Sequence, residues 1–412
     1  MNIAFTIAKK IAFNSQKTFS AFIIKLSIAA TAISVAAMIL TLCFVNGFQQ
    51  TVGNKVFGFW GHIRVQQFET SKSLVATETP ILKSDTVTQI ILKHPNVASV
   101  SAFATKTAII DKNRDIEGIL LKGITPDYNT KQLESFITKG RLLQFKDSGY
   151  SKEIMVSAPI AQLLQIHVLD TVKIYFVSNT DTEAIKSARK LVVVGIYKTG
   201  IEEFDKLFAI TDLAFIQRVN NWDANQIGGY EIFVKNAALA EQTNADIHNE
   251  LPLVWMSRTV KEIYQNIFDW LNIQDVNRNV VFTIMAIVAI INLITCLLIL
   301  VLERTKMVGI LKSIGLPNWQ IQKIFLYYAG MITLIGVSVG CFIGLGICFL
   351  QLQTHFISLD EAAYYVSYAP IQIIWWQIAT VCVATALVCF LSLMIPSLIV
   401  RNVQPVKAIQ FR

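Results

Sequence analysis

Four stretches of this chain constrain it more than any other feature: residues 19–45, 280–302, 325–352 and 371–395 are each long and almost wholly apolar. A helix needs about 20 such residues to cross a hydrocarbon core of about 30 Å. Lipid offers the backbone no hydrogen-bond partner, so segments of this kind must be helical. Residues 46–279, between the first and second runs, mix polar and apolar positions throughout. The fold class that follows is an α-helical membrane protein with four transmembrane helices and a large extracytoplasmic α+β domain. The six cysteines (Cys43, Cys296, Cys341, Cys348, Cys382, Cys389) all lie in the apolar runs, so they read as packing residues and the outer domain has no disulfide framework. The first run is too long for the apolar region of a signal peptide and lacks a small-residue cleavage site. Leu42 also stands where lipid modification at Cys43 would want a small residue, so an uncleaved first span is expected.

The net charge of +8 is concentrated. Residues 1–18, 303–324 and 396–412 hold ten Lys or Arg against one acid, Glu303, whereas Gln49 to Asp275 carries 24 basic and 25 acidic residues. Basic residues in short segments beside spans mark the cytoplasmic side. Both termini and the 303–324 loop are therefore placed inside, and the 46–279 domain outside. The 353–370 loop, with Asp360 and Glu361 and no Lys or Arg, also falls outside. Charge distributed in this way argues against a nucleic-acid partner.

Residues 1–18 set Ile3, Phe5, Ile7, Ile11 and Phe13 among lysines, as an amphipathic helix at the cytoplasmic interface would. Lys25 is close enough to the start of the first span to snorkel. In the outer segment, runs such as "SVSAFATKTAII" and "RKLVVVGIY" read as strands, and Ser84 to His94, Ala158 to Leu164, Asp212 to Val219 and Ala237 to His248 as helices. Two subdomains are expected, with residues 131–191 inserted into a part built from both ends of the segment. Gly336, Gly340 and Gly344 fall at four-residue spacing in the third span and predict a close helix contact, within one subunit or between two. Asn292, the one strongly polar residue deep in an inner span, is expected to hydrogen-bond another helix. Trp375 and Trp376 suit an aromatic belt.

Chemistry is sparse. The absence of any Gly-Lys dipeptide excludes a Walker-type phosphate loop. The five histidines are scattered, with no H-E-x-x-H, and there is no G-x-S-x-G elbow. No catalytic, cofactor-binding or metal residue is assigned. What stands out is the loop between the second and third spans. Met307, Ile310, Leu311 and Ile314 follow i, i+3, i+4, i+7 spacing and define an apolar helical face, with Lys306 and Lys312 off it. Gly315 supplies a stop and Pro317 a restart. Such a helix could rest on its own bilayer, pack on its own spans, or dock into a groove of a cytoplasmic partner.

The sequence "LERTKMVGILKSIGLPNWQIQKIFLYYAG" (302–330) resembles the E-[RK]-x-x-[DE]-I-[GA]-[IL]-L-[RK]-x-[LI]-G-A loop of FtsX-like and MacB-like ABC permeases. "VNGFQ" (45–49), "LLKGITPDY" (120–128), "VVVGIYKTGIEEFDKLFAITDLAFIQ" (192–217), "EAAYYVSYAPIQI" (361–373) and the tail "NVQPVKAIQFR" extend the likeness over nearly the whole chain. These motifs favour the lipoprotein-releasing LolC/LolE branch. The resemblance implies that the outer domain is a MacB-like periplasmic core. It also implies that Glu303, Arg304, Met307, Ile310, Leu311, Ile314 and Gly315 form the coupling site for a cytoplasmic LolD-like ABC ATPase. That partner would bind ATP and Mg, leaving this chain a non-catalytic permease subunit without cofactor. The other implied partners are a second permease copy, identical or homologous, a lipoprotein substrate, and a LolA-like periplasmic carrier. Ser178 to Lys190 lies where LolC carries a carrier-capturing hook, but "SNTDTEAIKSARK" lacks the Pro- and aromatic-bearing hook pattern. Met307 and Val308 replace the usual acid and Ile of the coupling loop. The implied location is a bacterial inner membrane, and the implied activity is lipoprotein release by mechanotransmission. The alternatives are MacB-like export of a small hydrophobic compound or peptide, and FtsX-like regulation of a cell-wall hydrolase.

Overall fold

The computed structural model describes residues 19–67, 79–146, 149–177 and 185–394. The interfacial helix expected over 1–18 and the tail 396–412 lie outside the described residues. The chain begins with helix α1 (Phe19–Trp60), followed by β1 (Ile63–Gln67), β2 (Ile81–Leu82), α2 (Asp85–Lys93), β3 (Val97–Lys112), β4 (Asp115–Ile124) and α3 (Thr130–Glu134). Next come β5 (Ile137–Gly140), β6 (Glu153–Ser157), α4 (Ala158–Leu163), β7 (Thr171–Val177), β8 (Ile185–Tyr197), α5 (Glu202–Asp205), β9 (Phe208–Asp212) and α6 (Leu213–Asn220). After these are β10 (Gln226–Ile227), β11 (Gly229–Val234), α7 (Ala240–Glu250), β12 (Trp255–Thr259) and α8 (Val260–Ile263). The final elements are α9 (Gln265–Glu303), α10 (Thr305–Ser313), α11 (Asn318–Thr354), α12 (Glu361–Tyr364) and α13 (Trp375–Ser392).

Two compact bodies result: an outer body of Thr51–Asp269 with Asp360–Ser367, and a membrane body formed by the rest. Among the described residues, four helices, α1, α9, α11 and α13, are long and apolar enough to cross a membrane. Three outrun the apolar stretches 19–45, 280–302 and 325–352, because helical hydrogen bonding continues where polar residues return. The fourth is shorter than 371–395, since residues 371–374 are not helical.

The outer body is built on a ten-stranded mixed sheet in the order β12-β1-β11-β3-β4-β9-β6-β8-β5, with β7 paired to both β3 and β8. The β4–β9 and β6–β8 pairs are parallel and the others antiparallel. The expected separation of residues 131–191 as an inserted subdomain is not observed. At 16 residues, β3 is long enough to hold β11 over Val97–Phe103 and β7 over Ala108–Asp111, while β4 runs along its other edge. Strands from 131–191 therefore continue the same sheet. Local chemistry sets the helices beside it. Ser84 caps α2 by accepting from the Val87 amide, Asp212 caps α6 by accepting from Ala214, and Thr259 and Glu262 form a capping box on α8.

A polar cluster is enclosed in this body. The Lys122 ammonium lies 2.8 Å from Glu231 Oε2 and also donates to the carbonyl of Phe59 at the end of α1; both side chains are essentially inaccessible. The Tyr128 hydroxyl donates to Glu231 Oε2 at 2.8 Å, and burial pushes its pKa well up, so it stays a donor. A cation at the last carbonyls of a helix is favoured by the helix dipole. Trp60 covers the ammonium, with its ring centroid 4.2 Å away.

Candidate coupling site

The helix between the second and third membrane helices is built as a separate unit. The Arg304 and Val308 amides still bond back to Leu300 and Arg304, so α10 follows α9 after a one-residue break at Arg304. Thr305 Oγ1 donates to the Val301 carbonyl, a back-bond that bends helices at such points. At the far end, Leu316 N bonds to Leu311 O and Gly315 N to Lys312 O, with Gly315 at φ +92°. This is a Schellman stop that an L-residue would strain. Pro317 then caps α11.

The apolar face expected from periodicity divides. Met307 and Leu311 pack against the core of the membrane body, which includes Leu297, Leu300, Ile321 and Phe325. Ile310 and Ile314 are instead 51% and 71% exposed. Val308, adjacent to the expected face, is completely buried. The four residues do not form one docking surface, because a helix lying against its own bundle must spend part of its apolar arc on that contact. The free arc holds Ile310 and Ile314, with Leu302 and Trp319 also exposed on the flanking helices. Glu303 is exposed and Arg304 half-buried at the α9–α10 break.

The glycines of α11 lie against α1. A Cβ on Gly340 would be 2.5 Å from the Ala32 carbonyl oxygen, one on Gly336 would be 2.9 Å from Thr31 Cβ, and one on Gly344 would be 3.2 Å from Ala36 Cα. The small residues of α1 face this stripe. Asn292 Nδ2 donates to the Ser27 carbonyl at 3.1 Å, joining α9 to α1. A contact whose pairing no sequence pattern records is at Gly47, where a Cβ would be 2.5 Å from the Pro370 carbonyl oxygen. Beside it, Gln372 N donates to Cys43 O at 3.0 Å.

On the outer body, Lys190 is exposed on β8, opposite Lys173 of β7. Ser178 lies outside the described residues, so the expected carrier segment is represented by the strands that flank it. No group of three or more His, Cys, Asp or Glu able to hold a metal occurs among the described residues. Sequence reasoning missed the burial of Val308, the Lys122–Glu231–Tyr128 cluster, and the partners of Glu361. Lys122 and Glu231 are 109 positions apart, and only their presence in otherwise apolar strands marks them.

These elements define a membrane-embedded chain with an outer mixed-sheet domain and an amphipathic connection between its second and third membrane helices. Residues 26–250 match the family model for the MacB-like periplasmic core domain, and residues 279–405 match that for the FtsX-like permease C-terminal region. The chain belongs to the FtsX-like and MacB-like ABC permeases, and as such is a permease subunit of a complex that works with an ATPase partner. Among curated relatives, it is 23% identical to the "Lipoprotein-releasing system transmembrane protein LolE" of Haemophilus influenzae, with 99% of each chain covered. It is 22% identical to the LolC protein of that system in Neisseria meningitidis serogroup B, with 95% of each chain covered. Identity to LolC of Buchnera aphidicola subsp. Acyrthosiphon pisum is 24%, over 96% of this chain and 95% of the relative.

Proposed function

We propose that this chain is a permease subunit that releases lipid-anchored proteins from the outer leaflet of a bacterial inner membrane. It pairs with a second permease copy, identical or homologous, and both termini and α10 face the cytoplasm. A LolD-like ATPase docks there and supplies the ATP and Mg chemistry. A LolA-like carrier accepts the cargo outside. The observation that carries the reading is the end-to-end correspondence with relatives named for lipoprotein release, 99% of both chains in one case. Physical chemistry supports it. Extraction from the outer leaflet needs no ion or proton path, and the stretches 280–302, 325–352 and 371–395 contain no Asp, Glu, Lys or Arg.

Coupling would run through Ile310 and Ile314, the exposed apolar pair of α10. Depleting the chain and fractionating the envelope should leave lipoproteins in the inner membrane; normal sorting would refute the reading. In the purified complex, the double substitution Ile310→Asp with Ile314→Asp should abolish release while leaving the thermal midpoint of the permease unchanged. Full release by that variant would remove α10 from the energy path. ATPase stimulation by a small hydrophobic compound, and not by a lipoprotein, would instead favour export.

A further inference from the structure

Two sequence motifs that the coupling reading leaves unused meet on the outer body. Residues Asp360–Ser367, within the connection from α11 to α13, belong to the outer body although the chain on either side of them belongs to the membrane body. Asp360 caps α12 by accepting from the Ala362 amide at 3.2 Å, and the helix ends at Tyr365, held in the left-handed region at φ 59°. The Glu361 carboxylate receives the Lys198 ammonium on Oε2 at 2.5 Å, and Lys55 stands 4.0 Å from Oε1. Lys55 Nζ donates to the Tyr365 carbonyl at 2.7 Å, and the Tyr365 hydroxyl donates to Glu203 Oε1 at 3.2 Å.

The receiving surface is the turn from Lys198 to Asp205, which is tied together by its own hydrogen bonds. The buried Asp205 carboxylate accepts from Thr199 N at 2.9 Å, Thr199 Oγ1 at 2.8 Å and Gly200 N at 2.9 Å. Gly200, at φ +77°, lies directly under the loop. A Cβ there would come within 2.5 Å of Glu361 Oε1 and 3.2 Å of the Tyr365 carbonyl oxygen, so the loop can settle only on a glycine.

Within this contact, Thr199–Ile201, Phe204 and Asp205 of the turn are buried, whereas the paired side chains that fasten the loop are partly open to water, 44% for Lys198 and 27% for Glu361. Ion pairs of that exposure are individually weak and screened by salt. Tyr365 adds a bulky residue at positive φ, a conformation that persists only while its surroundings enforce it. Weak fastening and stored backbone strain are properties of a contact that can open, unlike the enclosed Lys122–Glu231 pair.

We propose that Glu361 and Tyr365 form a releasable latch. They hold the α11–α13 connection on the 198–205 turn in one state of the transport cycle and free it in another, so that nucleotide-driven motion reaches the outer body through this loop as well as through α1 and α9. The latch rests on the reading of the chain as an ATP-driven permease, and it does not depend on the identity of the cargo. The test is hydrogen exchange on the purified permease–ATPase complex, without nucleotide and with ATP–Mg plus vanadate. Amides of 198–205 and 360–367 should change protection together by at least several-fold between the two states. In the double variant Glu361→Gln with Tyr365→Phe, the 360–367 amides should exchange at the unlatched rate in both states. Release per ATP hydrolysed should fall several-fold, and the charge swap Glu361→Lys with Lys198→Glu should restore part of the nucleotide response. Protection that ignores nucleotide in the wild-type complex overturns the proposal, and so does wild-type coupling in the double variant. If depletion leaves lipoprotein sorting normal while the two segments still respond to nucleotide, the cargo reading falls and the latch stands.

Discussion

Alanine substitutions along α11 should sort by what each new methyl group meets. At Gly340 the added carbon would lie 2.5 Å from the Ala32 carbonyl oxygen, 2.8 Å from Val35 Cβ and 3.0 Å from Ala32 Cα, two of them backbone atoms that cannot swing aside. At Gly336 the nearest atoms are Thr31 Cβ at 2.9 Å and Cγ2 at 3.0 Å, and at Gly344 nothing comes closer than 3.2 Å. Gly330 and Gly346, on the same helix, have nothing within 4 Å. Overpacking costs about 1–3 kcal/mol, while replacing Gly by Ala within a helix returns roughly 0.5–1 kcal/mol. Gly340→Ala should therefore destabilise by about 1–2 kcal/mol, and Gly336→Ala by somewhat less. Gly344→Ala should be close to neutral, and Gly346→Ala should gain up to about 1 kcal/mol. Thermal midpoints of the purified chain, followed by helix loss in one detergent, would measure the series. Gly330 and Gly346 serve as internal controls for propensity. If Gly346→Ala destabilised as much as Gly340→Ala, or if Gly340→Ala were neutral, the assignment of this stripe to contact with α1 would be wrong.

Two further outcomes concern the outer body. Lys122→Met should destabilise it by about 3–5 kcal/mol, because Glu231 is left as an uncompensated buried charge, and adding Glu231→Gln should recover most of that loss in a denaturant titration of the full chain. Single and double variants that are equally unstable would show that packing, and not charge, dominates there. Burial lowers the His62 imidazole to about 4, so between about 6.5 and about 4 the unfolded chain binds a proton that the folded chain does not. Stability from this residue is complete above about pH 6.5 and should decline by at most about 3 kcal/mol as the pH falls to about 4. His62→Phe keeps the stack on Phe57, whose ring centroid is 4.5 Å away, and should flatten that slope. An unchanged slope would assign the acid sensitivity to other groups.

The membrane helices were legible because lipid imposes a composition on them, but their true lengths were not. Residues 46–60 of α1 and 265–279 of α9 are helical without being uniformly apolar, so hydropathy ends where the helix continues. The outer domain was legible as α+β from its period-two and period-3.6 runs. Its division was misjudged because β3 pairs with two different strands along one edge, a matter of long-range register that no local pattern records. Helix α10 shows the same limit at single-residue scale. Spacing places Met307, Ile310, Leu311 and Ile314 on one arc, but which part of an arc faces the parent bundle depends on the break at Arg304, and the arc divides there. The Gly336, Gly340 and Gly344 stripe was visible as a pattern, whereas its partners Thr31 and Ala32 lie some 300 positions earlier. Glu361 is visible in the sequence as a charge and as the start of a motif, but its partners are not, since Lys198 and Lys55 reach it from distant segments.

If the ATPase docks on α10 as proposed, the divided arc limits how it can be held. Full burial of two isoleucines contributes about 3–6 kcal/mol at roughly 1.5–3 kcal/mol each. The loss of translational and rotational freedom on association costs at least about 4 kcal/mol. Ile310 and Ile314 alone would therefore give a contact near break-even, too weak to keep an ATPase attached through a cycle. Leu302, at the end of α9, and Trp319, in the first turn of α11, are exposed to a similar degree, and the Lys323 ammonium lies 5.2 Å from the Trp319 ring centroid. A docking surface that includes these residues would have an aromatic anchor of the kind that dominates interfaces, and it would grip the ends of two membrane helices together with α10. Force delivered to such a surface enters the membrane body through α9 and α11 directly. The Schellman stop at Gly315 would then matter mechanically, because it fixes how the chain passes from α10 into α11.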